Sequence, residues 1–535
     1  MGASAEYRGA ARERTARRCC AAFGVLLALV LSGCARLPTE PAPRAEVLPR
    51  DVTGTTTLGS RVKALGAPHG SDSGVRLLDP GRDAFLERVA LIEAAERSID
   101  AQYYIWNSDA TGRHMAARLY AAAERGVRVR LLLDDINVGG RDDVLALLDR
   151  HPNIEIRIYN PALERRGLRW AFGFLREFSR LNRRMHNKSF TVDGSVTILG
   201  GRNIGDEYFD AHAELNFRDR DVVAVGPVVA DTGNMFDAFW NSVLARPVTE
   251  FGNAVRAGGI QSRAMQAAAD SERLAQLFGT LPQDAAAALA HLEHSLAAMH
   301  WAPARLVHDG PPSDAALADS SLTQASAAAL GQIAAGAREE ILIESAYLVL
   351  DQQSVDAIRA MHDRGVRLRV LTNSLASNDV TANHAAYARR REAILASGVE
   401  LHEMRPDAAS CRSLVLNGSA CGREHIFGLH AKTFVFDRRT VYVGSLNLNL
   451  RSRFLNAESG LVIESPELAA QIAADLELNM APANSWRVVA DERGRAQWLE
   501  GEGSAATTLH QEPRASWSRR ASTAVIAAFP LEKYL

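Results

Sequence analysis

The pattern His-x-Lys-x4-Asp occurs twice in this chain, as "HNKSFTVD" at 186–193 and as "HAKTFVFD" at 430–437. The copies lie 244 residues apart, and "RGVRVRLLLDD" (125–135) recurs as "RGVRLRVLTNS" (364–374) at an offset of 239. So long an offset marks a duplicated domain, not a solenoid repeat. Each half opens on an alternating strand, "SIDAQYYIW" (98–106) or "EILIESAYLVL" (340–350), followed by a helix and a buried strand. Alternating strands and helices predict two α/β units with parallel or mixed sheets. Lysine usage sharpens the repeat. Lysine stands only at 63, 188, 432 and 533, whereas Lys and Arg together number 61. A chain that otherwise uses arginine keeps Lys188 and Lys432 where a compact point charge, not a planar fork, is wanted.

At 535 residues, two or three domains are expected. A hydrophobic share of 47% and a charged share of 23% are globular values. The formal net charge of -2 gives no broad field for nucleic acid, which makes nucleic acid an unlikely partner. The N-terminus reads as a processing signal: arginines at 8, 12, 14, 17 and 18, then the apolar "CAAFGVLLALVL", too short for an ordinary membrane span. It ends in "LSGC", which looks like a bacterial lipobox. That resemblance implies cleavage before Cys34 and lipidation of Cys34, with residues 1–33 as signal peptide; the alternative is an uncleaved signal anchor. Ala35 implies sorting to the outer membrane, facing the periplasm. Residues 34–59 read as a flexible tether. Cys411 and Cys421 are then the cysteines left, and an even pair in an oxidising compartment predicts a disulfide.

The remaining boundaries place a first α/β domain at 60–252, a helical linker or insertion at 253–300, a second domain at 301–480 and a C-terminal extension at 481–535. The apolar "AVIAAFPLEKYL" at its end is expected to dock on the body.

Matching of the halves runs past the motifs. His186, Lys188, Asp193, Gly200 and Asn203 correspond to His430, Lys432, Asp437, Gly444 and Asn447 at identical spacing, and Asp221 is matched to Glu458 further on. Residues two apart on a strand share a face, so each His projects with its Lys while the Asp points elsewhere. These residues resemble the phospholipase D superfamily, with two complete motifs in one chain. The wider stretches "YYIWNSDATG", "RRMHNKSFTVDGSVTILGGRNIGDEYF" and "LHAKTFVFDRRTVYVGSLNLNLRS" are similar to its cardiolipin synthase C branch. The resemblance implies two phospholipase D-like domains related by a pseudo-twofold duplication, with one active site at their interface.

It also implies a chemistry. One imidazole attacks phosphorus and the other protonates the leaving alcohol, in two steps through a covalent phosphohistidine. Family precedent makes His186 the nucleophile and His430 the acid and base, although the near-symmetry of the residues leaves the order open. Lys188 and Lys432, with Asn203, Asn447 and Ser445, are expected to hold the non-bridging oxygens. Asp221 and Glu458 are expected to orient the imidazoles, and Asp193 and Asp437 to orient the site across the interface. The scheme requires no metal and no cofactor; the lysines would repel a cation, and no HExxH or CxxC pattern is present.

Other residues carry weaker signals. Asp134 and Asp135 are read as caps of the turn after 125–135, and His114, His151, His294 and His362 as structural histidines. His384 is left between a place near the site and a helix surface. The stretch 165–184, with arginines interleaved among Trp170, Phe174 and Phe178, reads equally as a basic helix at a lipid surface or as a helix on the core. The expected function is transfer of a phosphatidyl group between phospholipids, with cardiolipin synthesis implied by the resemblance. Any accessory protein is left unassigned. The rivals are phospholipid hydrolysis and, on the same fold, cleavage of nucleic acid.

Overall fold

The structure is a computed structural model that describes residues 42–47, 50–162, 173, 177–252, 260–312, 321–415, 421, 425–501, 503, 506–529 and 532–533. The signal segment, Cys34 and most of the basic aromatic stretch 165–184 lie outside the described residues.

Two large mixed sheets are built on one plan. The first runs, edge to edge, His300–Ala302, Ser73–Leu78, Asp221–Val225, Val196–Gly200, Ser189–Val192, Ser98–Tyr103, Arg128–Asp134, Ile154–Tyr159 and Ala245–Pro247. The second runs Ala304–His308, Ser459–Glu464, Thr440–Gly444, Lys432–Phe436, Glu340–Ser345, Arg367–Asn373, Glu400–Met404, Ser485–Ala490, Ala496–Glu500 and Thr507–Leu509. Eight strands correspond in the same order, so the duplication read from the motifs extends over whole sheets. In each, three central strands are parallel and joined by crossover helices, and the motif strands add to them antiparallel. These motif strands are buried along their length, Ser189–Val192 and Lys432–Phe436 alike. Both faces are covered, the apolar Phe190, Val192, Phe434, Val435 and Phe436 and the polar Ser189, Thr191, Lys432 and Thr433 alike.

Helix Pro227–Trp240 and helix Pro466–Met480 lie between the sheets. One apolar core draws on both halves there: Leu199, Val222, Met235, Phe236 and Trp240 from the first, and Val435, Val443, Leu461, Ile472 and Leu476 from the second. Separate cores back the outer face of each sheet. The halves are therefore joined by shared packing.

Two predicted boundaries shift and one alternative is decided. Residues 42–47 do not hang as part of a free tether: the Ala45 and Val47 amides donate to Asn241 and Asp237 on helix Pro227–Trp240. The stretch expected as a helical linker or insertion is, over its described residues 260–300, an insertion packed on the first domain. Its helices Ile260–Phe278 and Ala285–Ala297 place Leu274, Phe278 and Leu292 in the first core, and strand His300–Ala302 joins the first sheet. The second domain continues past 480, because Ser485–Ala490 supplies its eighth corresponding strand. Cys411 and Cys421 are joined, with a Cα–Cα distance of 5.8 Å. They pack with Phe427, Leu429 and Ala431 beside the second motif. Among the described residues, no helix is long and apolar enough to cross a membrane.

Candidate active site

Each motif histidine stands just before its strand, and the lysine two residues on shares its face. Lys188 Nζ donates to the His186 carbonyl at 2.6 Å, and Lys432 Nζ makes the same bond to the His430 carbonyl. Where a motif enters its strand, it is clamped by the other half. The His186 amide donates to the Ala457 carbonyl at 2.8 Å, and the His430 amide to the Arg218 carbonyl at 2.8 Å. Strand Ile426–Leu429 pairs in parallel with Leu215–Arg218, and Met185 bridges Ala457 likewise. This exchange brings the two motifs together at the pseudo-twofold axis.

The acids are exchanged too. His186 Nδ1 lies 2.7 Å from Glu458 Oε2, and His430 Nδ1 lies 2.6 Å from Asp219 Oδ2. All four side chains are buried. Engagement of Nδ1 fixes each ring and leaves Nε2 for chemistry. Expectation and structure differ here: the orienting acid of the first half is Asp219, not Asp221. Asp221 pairs with Arg88 at 2.8 Å and accepts from the Arg202 amide. The ladder explains the shift. Gly200 is paired with Asp221 and Gly444 with Gly460, so Asp221 corresponds to Gly460, and Asp219 to Glu458. Loops of unequal length hide this in the linear text. A Cβ at Gly201 would overlap the Asp219 carboxylate. Ser445, its counterpart, is a hydroxyl that donates to Glu458 Oε2 at 2.5 Å. Ser445 is thus placed to hold the acid, not a phosphate oxygen.

Asp193 and Asp437 do not face the site. Asp193 accepts from the amides of Glu96, Arg97 and Ser98, and Asp437 from those of Arg338, Glu339 and Glu340. Both sit at positive φ, 51° and 49°, in the turn after the motif strand, where Asp is among the non-glycine residues that tolerate it. The third motif residue ties its hairpin to the start of the neighbouring strand and orients nothing across the interface.

The amide side chains diverge. Asn203 Oδ1 accepts from the Ile105 amide, so it fixes the chain beside Tyr104. Asn447 Oδ1 is buried without a hydrogen-bond partner among the described residues. Asp134 does cap the turn after its strand by accepting from the Ile136 amide, and it also accepts from the Met185 amide at 3.0 Å and so braces the residue before His186, whereas Asp135 accepts from the distant Ala162 amide. His384 is fully buried, with Nε2 between Arg391 and Glu512, and has no helix-surface role.

Burial dominates the electrostatics. It pushes His186 down to about 4, helped by the Lys188 and Lys432 charges and opposed by Glu458. It lowers His430 as well, with Lys432 assisting and Asp219 opposing. Lys188 falls to about 7 and Lys432 to about 8, both through burial, against the pull of the two acids. Burial alone would raise the acids. His430 and Lys432 nevertheless hold Asp219 below the usual carboxylate range, and His186 and Lys188 do the same for Glu458. Groups of one half act on those of the other, so this is a single site.

Four contributors went unassigned in the sequence. Tyr104 stands edge-on to His186 at 4.8 Å with Lys188 Nζ 5.5 Å from its ring centre, and Tyr208 stands edge-on to His430 at 5.1 Å. Tyr347 donates to the exposed Asp379, whose charge acts on His430 and Lys432. Tyr104 and Tyr208 lie in the matched text "YYIW" and "IGDEYF", and that was their signal. Tyr347 lies in the counterpart strand text "EILIESAYLVL", and Asp379 had no signal. Arg218 and Arg220 flank Asp219 and turn the opposite way, onto Glu344 and Asp475 of the second half. No cluster of His, Cys, Asp and Glu suited to a metal occurs among the described residues.

The chain is similar to known proteins over most of its length. A family profile described as "Cardiolipin synthase, PLD-like domain" matches residues 89–240 and 330–479. Cardiolipin synthase C of Escherichia coli (strain K12) is 39% identical over 477 residues, covering 89% of this chain and 99% of that protein. Cardiolipin synthase A of Pseudomonas aeruginosa is 27% identical over 451 residues, covering 84% and 75%. Among solved structures, phosphatidylserine synthase of Haemophilus influenzae Rd KW20 superposes with a TM-score of 0.54 at 13% identity, covering 89% of this chain and all of that one, a likeness of fold. With two family domains in one chain and their histidines meeting at one site, the chain belongs to the cardiolipin synthase, PLD-like family and is an enzyme of the phosphatidyltransferase type.

Proposed function

We propose that this enzyme moves a phosphatidyl group from one phospholipid to the alcohol of another through a phosphohistidine, and that phosphatidylglycerol is converted to cardiolipin. The observation that carries this is the reciprocal pairing: two buried imidazoles, each held at Nδ1 by an acid of the other half, with both ammonium groups beside them. His186 Nε2 attacks phosphorus, a P–N bond forms, and the P–O bond to the leaving alcohol breaks. His430 gives its proton to the departing oxygen. The acceptor alcohol then loses its proton to His430, its oxygen attacks phosphorus, and the P–N bond breaks to return neutral His186. An anionic phosphodiester between the rings raises the proton affinity of both imidazoles, which supports a charged His430 in the complex. Lys188 and Lys432 neutralise the non-bridging oxygens as charge shifts toward them. The acids hold the tautomers and stabilise each imidazolium.

Turnover of labelled phosphatidylglycerol, with and without a second phospholipid alcohol, tests the reaction. Cardiolipin is the expected product. Phosphatidic acid alone would make the enzyme a hydrolase, and cutting of single-stranded DNA without lipid turnover a nuclease. His186→Ala and His430→Ala are expected to abolish transfer, and a labelled phosphopeptide trapped from the wild-type reaction is expected to carry His186.

The enzyme is further proposed to act in the bacterial envelope, anchored to the outer membrane by lipid on Cys34 and facing the periplasm. The signal-like N-terminus and the Cys411–Cys421 pair support this. Fractionation of cells making wild-type and Cys34→Ser protein tests it; the variant is expected to lose outer-membrane retention.

A further inference from the structure

The outer faces of the two sheets are filled differently. In the first half, helices Ile260–Phe278 and Ala285–Ala297 pack on helices Gly81–Ala94 and Ala110–Glu124, with the Phe278 ring 5.1 Å from that of Phe85. In the second half no helix covers the corresponding pair in this way among the described residues. A cleft of about 540 Å³ lies there instead, between helices Ala325–Gly336 and Gln352–Asp363. Its cause is legible residue by residue. Glu96, Arg97 and Ser98 give their amides to Asp193 as Arg338, Glu339 and Glu340 give theirs to Asp437, so Ala95 corresponds to Ala337. Counting back along each helix matches the fully buried Phe85, Val89 and Ile92 with Ala327, Gly331 and Ala334. Spacings of four and three keep each set on one face. Three large side chains are missing from one place, and a Cβ added at Gly331 would meet nothing within 4 Å. Protein interiors are otherwise close-packed, so a space of this size has to be accounted for.

Lining and position name the occupant. The floor is apolar, built by Ile341, Ile343, Val370, Phe434 and Phe436. Along the second helix the cleft runs from Gln353 to Arg364, about 16 Å of helix. Its volume is that of a ligand pocket, about 300–1,000 Å³. One end adjoins the catalytic groups. Lys432, Phe434 and Phe436 alternate on the motif strand and share a face, so the floor begins about 7 Å from Lys432. Leu446, Asn447 and Leu448 line the cleft and follow directly on Ser445, which holds Glu458 against His186. The Leu448 amide donates at 3.0 Å to Ser345, the residue opposite Lys432 in the ladder. Asn447, 4% exposed, lines this end with Oδ1 unpartnered among the described residues, which suits a polar group of the ligand at the end near the histidines and apolar groups beyond it. A phospholipid with its phosphorus between the rings has that order: a polar glycerol, then an unbranched apolar chain.

We propose that the cleft between helices Ala325–Gly336 and Gln352–Asp363 binds one acyl chain of the lipid substrate. This rests on the reading that the substrate is a phospholipid. The test fills the cleft as the first half does, with Gly331→Leu and, separately, Ala334→Ile, in the full-length protein. Leucine is the better helix former, so Gly331→Leu is expected to keep or raise the Tm. Binding of the fluorescent polyene cis-parinaric acid is expected to weaken about tenfold in each variant. In mixed detergent micelles, the ratio of kcat/KM for dioleoyl to that for dihexanoyl phosphatidylglycerol is expected to fall about tenfold, through KM. Equal probe binding by wild type and both variants overturns the proposal, as does an unchanged chain-length ratio. A dimer that Gly331→Leu dissolves, with no probe bound by wild type, assigns the cleft to a second copy and overturns it too. If wild type binds the probe and both variants bind it weakly, but no phospholipid is turned over, the proposed function fails and the acyl site stands without it.

Discussion

His186 Nδ1 lies 2.7 Å from Glu458 Oε2, a carboxylate 272 residues further along the chain and on the opposite half. The reverse pair, His430 with Asp219, closes the circuit at 2.6 Å. Neither half contains a working histidine by itself. The carboxylate that fixes each imidazole arrives only when the halves dock, so activity and domain assembly are one event.

Asp219→Asn and Glu458→Gln are expected to lower kcat by about 10^2-fold or more with little change in KM, because the ring loses its tautomer and its imidazolium support. Asp221→Asn is expected to act on stability instead, by leaving the buried Arg88 without its ion pair, at a cost of about 3 kcal/mol. Steady-state kinetics and thermal denaturation of the three variants separate the roles.

Asp193→Ala leaves the amides of Glu96, Arg97 and Ser98 without the buried carboxylate that accepts from all three, the Ser98 amide in a buried position. A loss of about 3 kcal/mol in unfolding free energy is expected. The kcat per folded molecule is expected to stay within a few-fold of wild type, measured below the lowered Tm.

The pH dependence follows from burial. His186, lowered to about 4, stays neutral and nucleophilic down to that pH, and protonation below it removes the lone pair. Lys188 and Lys432, lowered to about 7 and about 8, lose their charge as pH rises through those values. Log kcat/KM, which reports the free enzyme, is therefore expected to begin falling as His430, lowered by burial, loses the proton the leaving oxygen needs, and to fall further as the lysines lose charge between about 7 and 8. Bound phosphodiester favours the ammonium form, so the alkaline limb of kcat is expected at higher pH. A pH profile of both constants checks the displacement.

Lys188→Arg keeps the charge but not the shape. The ammonium is fully buried, bonded to the His186 carbonyl and set against the Tyr104 ring. A guanidinium cannot be accommodated there without displacing one of them. A fall in kcat of about 10^2-fold is expected, with the fold retained by circular dichroism.

Cys411→Ser is expected to cost about 2–3 kcal/mol of stability through loss of a short closed loop. A thiol assay on the mature unreduced protein is expected to find neither Cys411 nor Cys421 free, and both after reduction.

The sequence by itself determined the duplication, the α/β character of each half and the shared face of each His and Lys, because all of these are local or periodic. Two-residue spacing on a strand places His186 with Lys188 whatever lies opposite. What it could not decide was which carboxylate meets which imidazole. Asp219 and Asp221 differ by two positions in "RDRD", and only the ladder pairing of Gly200 with Asp221 and Gly444 with Gly460 tells them apart. The Asp of each motif was misplaced for a related reason: its turn folds it back onto amides of a neighbouring strand about a hundred residues earlier. The apolar "AVIAAFPLEKYL" was expected to dock on the body, and only the fold shows which of its described residues do: Ile526 and Ala527 are half-buried and Glu532 pairs with Arg389, while Val525 and Phe529 are exposed. Tertiary structure decided these matters because hydrogen bonds and ion pairs are made with whatever the fold brings near, and chain distance carries no record of that.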